Sequence, residues 1–249
     1  MKTGDKMVNS APFSSLSDKS ASAYNSIGTE REKTLHRTIK YYLCSDETTH
    51  EFKIGNYIVD IFHDGAIIEI QTGSFLPLKN KLTALLPKYH VTVVYPVINR
   101  KTIYLIDEMG ILLPKRSSPK KGQPLAIGQQ LAQIRDLLGH PNLDFIIFIV
   151  DVDEYRTKTI VASKRKPYDR IDQYPKGIPT IYYLKTNKDY LDLLPKELTN
   201  PFTKEIFQKI AHLKPSAATG VLLTYRILGI IVQTGKIGRA FVYEVVKNK

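Results

Sequence analysis

Apolar residues recur along this chain at two periods, and the switches between them mark out its elements. Between Thr29 and Leu43, Leu35, Ile39, Tyr42 and Leu43 are three to four apart, which predicts an amphipathic helix. Thr29 and Glu32 form a capping box at its start. Phe52 begins a short strand, and then two β-branched and aromatic runs, Tyr57–Phe62 and Ala66–Ile70, flank His63-Asp64-Gly65. Asp-Gly is a type I′ turn signal, so this stretch predicts a hairpin. Helical spacing returns at Pro77–Leu86, with Leu78, Leu82 and Leu85 on one side. Val91–Val97 and Thr102–Ile106 read as strands, and Met109-Gly110 as a turn. Leu125–Leu138 is an amphipathic helix ended by Gly139-His140-Pro141, and Asp144–Val150 is a core strand. Tyr174-Pro175-Lys176-Gly177 reads as a turn before a strand at Ile178–Leu184 and a short helix at Asp189–Leu194. Alternating helices and buried strands predict an α/β class with a mixed sheet over residues 30–155.

Residues 1–27 are rich in Ser, Ala and Lys without periodicity, as in a loosely held arm. The chain has 249 residues, enough for a sizeable core, and a net charge of +12. Such an excess of cations calls for a polyanion, either nucleic acid or an anionic membrane surface. The single cysteine, Cys44, excludes an internal disulfide framework and a Cys-rich zinc site. Without a transmembrane-length apolar run or an apolar leader, the expectation is a soluble cytoplasmic protein.

In the hairpin, a turn at Asp64-Gly65 sets Asp60 opposite Glu69, with Gln71 two residues further along the same face. Opposed residues lie with Cβ atoms about 5 Å apart, and like charges there repel. Their apolar neighbours, Ile58, Val59, Ile61, Ile67, Ile68 and Ile70, limit screening by water. The pair therefore calls for a raised carboxyl pKa or a bridging divalent cation, and a cation is preferred. A hairpin edge with solvated acids is the structural alternative.

This stretch resembles the core of the PD-(D/E)xK nuclease superfamily over roughly residues 30–160. The resemblance implies a restriction endonuclease-like mixed sheet flanked by helices. It also implies that Asp60, Glu69 and the Ile70 carbonyl hold Mg²⁺ or Mn²⁺, with Glu32 of the first helix assisting and His36 on the same helix face. The departure is Gln71, where the superfamily usually carries Lys. In that family the lysine can come from the following helix, which makes Lys81, ahead of Lys79, the candidate cation.

Two basic segments suit phosphate: Lys115, Arg116, Lys120 and Lys121 in one loop, and Lys164, Arg165 and Lys166 beside Tyr168 in another. Residues 199–249 hold eight Lys/Arg against two Glu, half the chain's excess charge. There Thr203–Leu213 and Ala217–Leu228 read as helices, and Ile230–Thr234 and Ala240–Val246 as strands joined by Gly235–Arg239. This order resembles a winged-helix DNA-binding domain. It implies that Ser216, Thr219 and Arg226 face DNA, with Lys236 and Arg239 at the wing tip.

The expected organisation is an arm (1–27), a nuclease-like domain (28–160), a basic linker and accessory segment (161–198) and a winged helix (199–249). The expected activity is Mg²⁺-dependent endonucleolytic hydrolysis of DNA phosphodiesters, with DNA rather than a membrane as partner and a homodimer left open. The alternatives are a catalytically inactive DNA-binding regulator that keeps the fold and a basic protein-interaction scaffold.

Overall fold

In the computed structural model, residues 33–163 and 166–246 are described. The first helix, α1 (Thr34–Leu43), leads to β1 (His50–Ile54), β2 (Tyr57–His63) and β3 (Ala66–Ile70). Next come α2 (Lys79–Leu85), β4 (His90–Ile106), the two-residue β5 (Arg116–Ser117), α3 (Gly128–Leu131), β6 (Leu143–Ser163) and β7 (Lys166–Leu184). The chain continues through α4 (Asn187–Leu191), β8 (Phe202–Thr203), α5 (Lys204–Ile210), α6 (Pro215–Ile227), β9 (Ile231–Ile237) and β10 (Ala240–Val245). The main sheet has strand order β1-β2-β3-β4-β6-β7 with β5 on β4, and a second sheet has order β8-β10-β9. β1 and β2 are antiparallel, whereas β3 and β4 are parallel, so the sheet is mixed as expected.

Three expectations about elements change. The runs 91–97 and 102–106 belong to one strand, β4. The helix expected over 125–138 is α3 flanked by 3₁₀ turns, interrupted where Ile134 leaves helical geometry (φ −115°, ψ 28°). Half of the expected linker, including Tyr174–Gly177, is strand β7. Its polar residues hide the two-residue period because they pair across strands. Lys176 meets Asp153, Tyr174 meets Tyr155, and Gln173 meets Glu154.

The chain forms two compact units, each assembled from separated segments. The first comprises the described residues of 1–64 together with 96–122 and 148–181. Its core includes Ile39, Val59, Ile61, Phe148, Val150 and Val152. Segment 107–122 folds back along the end of β4. Leu113 N donates to Leu105 O, Ser118 N to Lys101 O, and Gly122 N to Ile98 O at 2.7 Å. A Cβ on Gly122 would lie 2.6 Å from that carbonyl oxygen, so only glycine permits this approach. At the heart of the unit Glu154 is buried and accepts from Lys101 Nζ (2.9 Å), Gln173 Nε2 (2.6 Å) and Arg156 Nε (2.6 Å). Burial by itself would raise the Glu154 pKa, but bonds from Lys101 and Arg156, with Gln173, outweigh it and hold the carboxyl below its ordinary range.

The second unit comprises 65–95, 123–147 and the described residues from 182 on, so residues 199–246 share a compact unit with sheet and helix residues far upstream. Here α6 packs on α3 at backbone contact. A Cβ on Gly220 would fall 2.6 Å from Gln129 Cα, and one on Gly128 would fall 2.8 Å from Val221 Cα. Thr224 Oγ1 donates to the Gly128 carbonyl at 2.8 Å inside this seam. Tyr225, fully buried, donates through its hydroxyl to Tyr190 O at 2.7 Å and so joins α6 to α4. The capping box of Thr186 and Asp189 starts α4.

Candidate active site

The turn between β2 and β3 has two residues with positive φ, Asp64 at 49° and Gly65 at 75°. That is the type I′ signature expected of Asp-Gly. On β2, Asp60 is half-buried, and its Oδ2 lies 3.2 Å from His36 Nε2 on α1. This pairing belongs to the first unit. It arises because α1 buries Leu35, Ile39 and Leu43, which leaves His36 on the flank of that stripe.

In the second unit, β3 holds Glu69 at 5% exposure within its parallel pairing to β4, opposite Val93. Lys81 of α2 reaches back to it, with Nζ 2.5 Å from Glu69 Oε1. The helix puts Lys81 there by burying Leu78, Leu82 and Leu85, the three leucines read from the sequence. Lys79 turns instead to Asp136, at 2.5 Å near the surface. Gln71 donates through Nε2 to Ser74 O at 2.5 Å, so its amide is engaged by the loop that follows β3.

Each acid thus has a basic side chain beside it. This is a further way to balance the charge, besides a raised pKa or a divalent ion. Hard-cation donors are present in each unit by itself: the Asp60 carboxylate in the first, and the buried Glu69 carboxylate with the main-chain carbonyl of Ile70 in the second. Among the described residues there is no group of three or more His, Cys, Asp or Glu placed to hold a metal. Glu32, Lys164 and Arg165 lie outside the described residues, and Lys166 is the first residue of β7.

The remaining basic candidates are on the surface. Lys115, Arg116, Lys120 and Lys121 are all exposed, Arg116 within β5 opposite Ile103. On α6, Ser216, Thr219 and Arg226 form a single exposed stripe, because α6 otherwise buries Ala217, Ala218, Gly220, Val221, Leu222, Thr224 and Tyr225. On β9, Lys236 Nζ sits 4.9 Å from the centre of the Phe241 ring of β10. Arg239, in the turn between β9 and β10, borders a shallow depression that also includes Lys204, Glu205 and Gln208. The Glu154 cluster was not foreseen, because nothing local to Asp153-Glu154 announces partners on β4 and β7.

These elements define a mixed α/β protein with a mixed sheet flanked by helices. The chain belongs to the family described as a domain of unknown function (DUF8091), whose model matches residues 33–185. That span runs from α1 through β7 and includes Asp60, Glu69, Lys81 and Glu154, but not α4 to β10. An uncharacterized protein of Treponema pallidum (strain Nichols) is 37% identical over 145 residues, which cover 56% of this chain. The match spans 58% of that relative's length. No solved structure matches the chain. Among the described residues no helix is long and apolar enough to cross a membrane.

Proposed function

We propose that the chain is a metal-dependent DNA endonuclease of the PD-(D/E)xK kind, with its C-terminal segment as a winged-helix-like reader of DNA. The observation that carries this reading is the Lys81–Glu69 contact. A Glu-x-Gln strand lacks the usual lysine, and the helix after it supplies an ammonium to the same carboxylate. Asp60, Glu69 and the Ile70 carbonyl would hold Mg²⁺, which when bound lowers the pKa of a water and polarises a phosphate. Lys81 sets a positive charge beside the Glu69 carboxylate and offers a donor to charge developing on phosphate oxygens. His36 orients Asp60 through the contact at 3.2 Å.

For the tail, the order α4, β8, α5, α6, β9, β10, with β8 pairing β10, supports a winged-helix reading. Ser216, Thr219 and Arg226 are then the contacts along the exposed stripe, and Lys236 and Arg239 meet backbone phosphates. One observation favours the alternative of a DNA-binding protein without cleavage. One N–H of the Gln71 amide is committed to Ser74 O, which ties the side chain to the loop after β3.

The test is cleavage of supercoiled, linear, single-stranded and branched DNA with Mg²⁺, Mn²⁺ or EDTA. Lys81→Met should lower the cleavage rate about 100-fold or more while DNA affinity stays within a few-fold. Asp60→Asn should abolish cleavage. Retained DNA binding with no cleavage of any substrate by the parent selects the non-catalytic reading, and neither binding nor cleavage sinks both.

A further inference from the structure

The segment linking β4 to β5 exposes a compact apolar tip. Met109 is 80% exposed, Ile111 and Leu112 56% each, and Leu113 41%. The tip is held in shape. Asp107 Oδ1 accepts from Met109 N at 2.9 Å and Ile111 N at 2.8 Å, and Asp107 N donates to Ile111 O at 3.0 Å. Gly110 takes the positive φ of 80° that the turn requires. Leu112 bridges to Ile106, and Leu113 N donates to Leu105 O, so the tip is a narrow ribbon. Successive side chains of a ribbon point to opposite faces. With Ile111, Leu112 and Leu113 all exposed, the ribbon is apolar on both faces. Clusters of this kind on a folded protein mark contact surfaces.

Directly behind the tip stand Lys115 and Arg116, both exposed, while exposed Lys120 and Lys121 lie further back, toward the Ile98 end of the ribbon. At about 3.3 Å per extended residue, Lys115 follows Leu113 by roughly 7 Å along the chain. That matches the depth, about 5–10 Å, to which interfacial segments sink between lipid headgroups and acyl chains. Of the two acids at the tip, Glu108 is paired with Lys158 at 2.9 Å, and Asp107 is turned inward onto the N–H groups of Met109 and Ile111.

We propose that residues 109–116 dock the protein on an anionic lipid bilayer, with Met109, Ile111, Leu112 and Leu113 entering the headgroup boundary and Lys115 and Arg116 meeting phosphates. The doubly apolar ribbon selects this partner. A sheet edge pairs with the ribbon's backbone and leaves its faces wet, a flat protein surface covers one face alone, and a nucleic-acid backbone offers nothing to four apolar side chains. A bilayer boundary surrounds the tip on every side. The assignment adds a partner to the reading above and does not depend on it.

The chain has no tryptophan, so Leu112→Trp provides a single reporter at the tip. With vesicles of phosphatidylcholine plus phosphatidylglycerol, its emission should shift to the blue and the protein should co-sediment. Pure phosphatidylcholine should do neither. Ile111→Asp with Leu113→Asp, and separately Lys115→Glu with Arg116→Glu, should each weaken vesicle binding about tenfold or more. Thermal unfolding of each variant checks that the fold persists, as expected for exposed positions. The proposal is overturned by the absence of a blue shift with anionic vesicles, or by vesicle binding indifferent to the Asp variants. A shift produced instead by duplex DNA, or by raising protein concentration without lipid, also overturns it. DNA binding and cleavage by Leu112→Trp should equal the parent's, so failure here and failure of the nuclease reading are separately visible.

Discussion

The two units solve the same problem, joining distant segments, with opposite materials. In the first, Lys101 of β4, Glu154 and Arg156 of β6 and Gln173 of β7 meet through charge in a buried place. In the second, α6 and α3 meet through the absence of side chains, with Gly220 against Gln129 and Gly128 against Val221. The electrostatic joint tolerates small shifts in position but no lost partner. The glycine joint is indifferent to charge and tolerates no added atom. Each should therefore fail under a different insult.

The largest expected effect is at the charged joint. Glu154→Ala leaves Lys101 and Arg156 without their shared carboxylate, and should cost about 3 kcal/mol by denaturant unfolding, the low end for a broken buried pair because both cations keep some access to water. Its pH signature has a definite sign. The folded pKa of Glu154 lies below its ordinary 4.5, so its contribution is complete above that value and is lost as pH falls through the lowered one. Acid titration of stability should show this loss in the parent, and Glu154→Gln should flatten it.

At the glycine joint, Gly220→Ala places a Cβ 2.6 Å from a backbone Cα that cannot step aside. Overpacking should cost about 1–3 kcal/mol, against a helix-propensity gain of at most about 1. A variant as stable as the parent would show that α6 and α3 are not in backbone contact in solution. No change in the acid limb is expected, since the seam has no carboxylate.

A smaller effect is expected for Tyr225→Phe, about 1 kcal/mol from the lost bond to Tyr190 O. Burial raises the pKa of Tyr225, and the neighbouring Tyr190 adds to it; Tyr190 is likewise raised mainly by burial. Stability from both is present below the ordinary 10.0 and is lost as pH rises above it. The substitution should reduce alkaline sensitivity without touching the acid limb, which would sharpen the contrast between the units.

Where periodicity and turn chemistry agree, the sequence was readable. The β2–β3 hairpin, the leucine stripe of α2 and the helix-helix-hairpin order of the tail follow from spacing that neighbours alone determine. β7 was not readable in full, because Asp172, Gln173 and Lys176 owe their places to Thr34, Glu154 and Asp153, on other strands or on α1. The seam between α6 and α3 was equally hidden, since Gly128 and Gly220 look locally like ordinary helix weaknesses. At the candidate site, Asp60, Glu69 and Gln71 came from the hairpin count, and Lys81 only from the likeness to a nuclease family. His36 could be grouped on its helix face but not matched to Asp60.

The interleaving of the two units also bears on how the chain is made. The first unit stops at Asp64, resumes at Pro96 and is completed only by Phe148–Ile181. At about 5–20 residues per second of synthesis, the early strands wait on the order of ten seconds for their last partners. During that interval Val59, Ile61 and Ile39, later fully buried, have only partial cover. A ribosome carrying this nascent chain therefore displays a sticky half-sheet, and chaperone occupancy should peak before residue 181 emerges and fall once it has.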